Sequence, residues 1–75
     1  MKVTVFKPNH RYRLTTDYHR EVWPLIYDAK KGEILIFQYK TLGFAQFYKT
    51  HPDADGRFWP VMMPAQEAFK LLEML

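Results

Sequence analysis

Glu21-Val22-Trp23-Pro24-Leu25-Ile26-Tyr27 and Glu33-Ile34-Leu35-Ile36-Phe37-Gln38-Tyr39-Lys40 are the two stretches whose reading decides the fold. Both are rich in β-branched and aromatic residues. They flank Asp28-Ala29-Lys30-Lys31-Gly32, a polar loop whose glycine can take positive φ. The pattern predicts an antiparallel hairpin joining 21–27 to 33–40. Pro24 brings no N–H to a ladder, so the first strand is expected at an edge, a bulge or a bend. In the second strand Ile34 and Ile36 take one face while Leu35, Phe37 and Tyr39 take the other, so both faces require cover.

Outward from this pair the period of two continues. Residues 2–6 alternate through Val3 and Val5, Pro8-Asn9-His10 supplies a turn, and residues 11–16 put Tyr12 and Leu14 opposite Arg11, Arg13 and Thr15. On the other side, Thr41-Leu42-Gly43 leads into a strand over 44–49. A long loop with Asp53-Ala54-Asp55-Gly56 follows, then a strand over 57–63 in which Pro60 marks an edge or a kink. From Pro64 the period changes. Proline at the first helical position, Glu67 in the first turn, and Ala65, Ala68, Phe69, Leu72 and Leu75 on one stripe predict a helix over 64–74. Phe69 and Leu72 are its expected anchors. The expected fold is mainly β (α+β): one domain over residues 1–75, with a small curved antiparallel sheet or an SH3-like barrel of five or six strands and a C-terminal amphipathic helix.

Composition limits the function. The chain has 75 residues, 48% of them hydrophobic and 17% aromatic, far from the profile of a disordered segment. Cysteine is absent, which removes disulfides and thiolate metal sites and fits a reducing, cytoplasmic setting. No run is long and apolar enough to cross a membrane as a helix, so no membrane association is expected. Serine is also absent, so the two commonest activated nucleophiles are both missing. His10, His19 and His51 are dispersed and match no metal-ligand spacing. Asp53-Ala54-Asp55-Gly56 lacks the further oxygen ligands of a calcium loop and reads as a turn. Gly32, Gly43 and Gly56 stand singly and form no phosphate cradle. The expectation is a non-catalytic protein with no metal and no cofactor.

Two binding functions compete. The net charge is +3, and the first twenty residues carry Lys2, Lys7, Arg11, Arg13 and Arg20 against Asp17 alone. Lys2, Arg11, Arg13 and Arg20 are the residues a nucleic-acid-binding small barrel would set on phosphates, with exposed aromatics stacking on bases. The aromatics concentrate between Phe37 and Trp59, and aromatic side chains are also what anchors protein interfaces. Most of them must serve the core of so small a domain. Tyr39, Tyr48 and Trp59 are the candidate protein-binding anchors. A protein partner is the preferred expectation, as an adaptor or inhibitor of the kind many phage and mobile-element proteins provide. Nucleic acid binding and self-association are the alternatives.

Overall fold

The computed structural model describes residues 5–75. Seven strands and one short helix follow in the order β1 (Arg11–Leu14), β2 (Tyr18–Val22), β3 (Leu25–Ala29), β4 (Ile34–Thr41), β5 (Phe44–Lys49), β6 (Pro60–Pro64), α1 (Ala65–Leu71) and β7 (Leu72–Met74). They form a five-stranded antiparallel sheet ordered β6-β5-β4-β1-β7 and a separate antiparallel pair, β2-β3. The fold is therefore mainly β with one short helix. Neither sheet closes into a barrel.

The hairpin expected between 21–27 and 33–40 does not form. Trp23 and Pro24 are instead the two-residue turn of a hairpin between β2 and β3, with Val22 opposite Leu25 and a cis bond between Trp23 and Pro24. A turn is where proline's missing N–H costs nothing. Residues 30–33 then carry the chain from the hairpin to the main sheet, where β4 runs between β1 and β5. Gly32, at φ +91°, donates its N–H to Leu14 O and helps lead the chain into β4. The β4–β5 turn has positive φ at both Leu42 and Gly43, the backbone of a type I′ hairpin.

Other boundaries also shift. Of the strand expected over 2–6, residues 2–4 lie outside the described residues, while Val5 and Phe6 belong to no strand. Phe6 is nevertheless buried, with its ring 4.7 Å from Phe69 and 5.4 Å from Phe37 in stacked geometry and edge-on to Tyr12 and Phe47. The expected strand over 57–63 begins only at Pro60. The expected helix stops at Leu71, because Leu72 turns to extended backbone and β7 joins the sheet beside β1. Leu72 is buried as a strand residue, whereas Phe69 is half-buried on the helix.

One core lies against one face of the main sheet. Tyr12, Leu14, Leu35, Phe37, Ala45, Phe47, Val61 and Met63 supply the sheet side; Tyr18 and Ala29 from the β2-β3 hairpin, Ala68 from α1 and Phe6 cover it. The opposite face of the sheet is open and partly apolar. A register shift after Phe37 places Tyr39 opposite Gln46, on the face of Ile34 and Ile36 and not on that of Leu35 and Phe37. One extra residue, Gln38, is enough to invert the alternation.

Candidate protein-interaction surface

The β2-β3 hairpin changes character along its length. Tyr18 and Ala29 at its base are buried, Arg20 and Tyr27 are half-buried, and Val22 and Leu25 at its tip are exposed. This face belongs to the core at one end and overhangs the domain at the other. The Tyr18 hydroxyl donates to Met62 O at 3.3 Å, which ties the base to β6, and burial pushes the hydroxyl's pKa up. Among the described residues no such tie reaches the tip. Trp23 is 92% exposed, Ile26 64% and Leu25 51%. Five consecutive apolar residues, 22–26, thus sit on a turn in solvent.

Beneath the overhang runs a groove of about 470 Å³, lined on one side by residues 24–28 of the hairpin and on the other by Lys49, Trp59 and Pro60. Trp59 is 46% exposed and its position is set by the preceding loop. Asp53 Oδ1 accepts the N–H groups of Asp55 at 2.8 Å and Arg57 at 3.0 Å, while its Oδ2 accepts the Trp59 indole N–H. The hydrogen bond from Arg57, followed by the one from Trp59, holds the Asp53 carboxyl below its usual range. The Asp-x-Asp-Gly segment is thus a turn that aims an indole, with the Arg57 guanidinium 5.8 Å from that ring's centre.

The three expected anchors do not share a surface. Tyr48 lies in a cross-sheet row with Arg11, Ile36 and Pro60 on the open face, by the register of β1, β4 and β5. Tyr39 lies on that same face and donates its hydroxyl to Gln46 Oε1 at 3.1 Å. Trp59 pairs with Lys49 through the hydrogen bond from Lys49 N to Trp59 O, which puts it on the core side, below the hairpin. Only Trp59 joins the exposed tip.

The basic residues are dispersed as well. Arg11 and Arg13 project from the open face of β1, and Arg13 Nε sits 2.7 Å from Glu73 Oε1, a bond that lowers the Glu73 pKa. Arg20 rises from the hairpin, with its guanidinium 5.1 Å from the Phe44 ring centre. Lys2 lies outside the described residues. Among the described residues no three His, Cys, Asp or Glu side chains are placed to hold a metal ion. No helix among them is long and apolar enough to cross a membrane.

Sequence reasoning missed Val22, Trp23, Leu25 and Ile26. The signal was present: an aromatic-proline pair inside an apolar run is a turn signature, and apolar residues on a turn have no core to enter. Comparison with known proteins returns no match to any family model, curated protein or solved structure.

Proposed function

We propose that the chain is a small non-catalytic protein-binding module, an adaptor or inhibitor that acts by occupying part of a partner protein's surface. The observation that carries this reading is the overhanging tip: Val22, Trp23, Leu25 and Ile26 in solvent, continuous with the groove that ends on Trp59. Contiguous apolar surface with aromatic anchors is the composition of an interface centre, and leaving it in water costs free energy that the fold itself does not recover. Nucleic acid binding draws less support, since Arg13 is engaged by Glu73 and Arg20 lies on a different element from Arg11.

The test uses the full chain as bait in an extract of its source cells, followed by titration of the purified captured protein. Trp23→Ala and Trp59→Ala should each weaken that titration strongly, while Arg11→Glu with Arg13→Glu should change it little. Salt-sensitive binding of random oligonucleotides, abolished by the two Arg reversals and indifferent to the Trp variants, would replace this reading with the nucleic-acid one.

A further inference from the structure

We infer, building on the protein-binding reading, that the partner contributes an extended strand that pairs with the free edge of β3, its apolar side chains turned into the groove and its basic side chains turned toward Glu21 and Asp28. The main-chain geometry comes first. Only Trp23 and Pro24 separate Val22 from Leu25, so that pair has no inner neighbours through which to bond and must exchange its own two hydrogen bonds. Alternation then gives the N–H and C=O groups of Leu25, Tyr27 and Ala29 to β2 and turns those of Ile26 and Asp28 outward. The two-stranded sheet ends at β3, and no backbone hydrogen bond among the described residues runs from Ile26 or Asp28 to a turn or loop.

The other edges suit a strand less well. Lys49 N donates to Trp59 O and Ala65 N to Gly43 O, so the odd-numbered residues of β6 face β5 and the even-numbered ones face out. Pro60 and Pro64 have no N–H to offer there, and the Met62 carbonyl is taken by Tyr18. β7 has three residues only. The free edge of β2 borders a polar pocket containing Glu67 and Lys70 of α1. Among the described edges β3, which approaches β6 on one side, combines outward main-chain groups with an apolar floor, the arrangement that strand addition uses: the ladder gives affinity and pockets for alternate side chains give specificity.

Charge selects the partner's other face. On the upper side of the hairpin Glu21 and Asp28 are both exposed beside Ile26, which the register sets opposite Glu21, and His19 lies between the two carboxylates, its Nε2 3.5 Å from Glu21 Oε1 and its Nδ1 3.6 Å from Asp28 Oδ1. No Lys or Arg pairs with either carboxylate among the described residues. A strand laid beside β3 alternates its side chains above and below, so the segment that fits carries a Lys or Arg above, next to Asp28 and long enough to reach past Ile26 to Glu21, and apolar residues below.

A displayed random-peptide library selected against the full chain tests this. Enriched peptides should alternate apolar with basic residues, and their binding should slow amide exchange at Ile26 and Asp28. Glu21→Lys with Asp28→Lys should weaken binding roughly tenfold or more, and Asp28→Asn, which preserves the side chain's shape, should weaken it less but in the same direction. Binders that are helical or proline-rich, that leave Ile26 and Asp28 amides unprotected, yet still depend on Trp23 and Trp59, overturn the strand geometry and leave the protein-binding reading intact. Binders indifferent to Trp23 and Trp59, or no binders, overturn both.

Discussion

Replacing Trp23 with alanine separates the two roles an aromatic side chain can have in a domain this small. At 92% exposure the indole contributes almost no buried area to the fold, so Trp23→Ala should change unfolding free energy by no more than about 0.5 kcal/mol. Against a partner the arithmetic differs. Burying roughly 200 Å² of indole at about 25 cal/mol per Å² sets an upper figure near 5 kcal/mol. Ordering and desolvation reduce it to the range of about 2 to 4 kcal/mol typical of anchor truncations. That range corresponds to roughly 30-fold to 1,000-fold in Kd. Urea denaturation reads the first quantity, and calorimetric titration of the captured partner reads the second. Leu42→Ala is the control. Leu42 is as exposed as Trp23 but lies on the β4–β5 turn, at the opposite end of the sheet from Trp59. Its truncation should leave affinity unchanged. A stability loss above about 1.5 kcal/mol for Trp23→Ala would make the ring structural. An affinity unchanged in Trp23→Ala would remove the hairpin tip from the interface.

Phe47 is fully buried and meets Phe6, Tyr12 and Phe37, so Phe47→Ala should cost about 3 to 5 kcal/mol, most of what so small a domain has, read as a collapse of the urea midpoint. Phe69→Ala should cost less, about 1 to 3 kcal/mol, because the ring is half-exposed and relies mainly on its stack with Phe6; equality with Phe47→Ala in the same assay would place Phe69 deeper than the structure does. The depressed Asp53 carboxyl ties its loop to pH. Its folded pKa lies below its unfolded one, so the stabilisation is complete above the unfolded value and fades as pH falls through the folded value. The Trp59 indole N–H resonance should therefore shift in acid with a midpoint below that of a free aspartate, and Asp53→Ala should abolish the transition.

How much of this was legible follows the physics of each signal. Strands β4 and β5 were readable because their alternation is strong and their turn contains Gly43, while Leu35, Phe37, Ala45 and Phe47 all enter one core. The C-terminal stripe held only to Leu71. Ala65 and Ala68 repeat at helical spacing, but the following Leu72-Glu73-Met74 fits either period, and pairing with β1 decides between them. Tyr39 was assigned to the wrong face because a bulge at Gln38 leaves no mark in composition. Strand pairing was the least legible feature. The run from Glu21 to Tyr27 has a strand's residues throughout, and only tertiary context shows that it folds back on itself.

That misreading and the candidate site have one cause. A strand pattern assumes that apolar residues are there to be buried within the chain, and for Tyr18, Tyr27 and Ala29 the assumption serves. It fails at Val22, Trp23, Leu25 and Ile26, where a two-residue turn carries the chain clear of its own core. Energetically these four side chains work against solubility and return little to folding, so their identity is unexplained by the fold. The loop on the other side of the groove follows a similar logic: the Asp53 carboxylate accepts two backbone N–H groups and places an indole where it is half in water. Two independent local structures thus meet at one groove, a turn that brings Pro24 and Leu25 to it and leaves Trp23 in solvent, and an aspartate-centred loop that brings Trp59. The joint exposure of these two tryptophans supports the proposed contact outside the chain, and the outward main-chain groups of Ile26 and Asp28 support the strand geometry we infer for it.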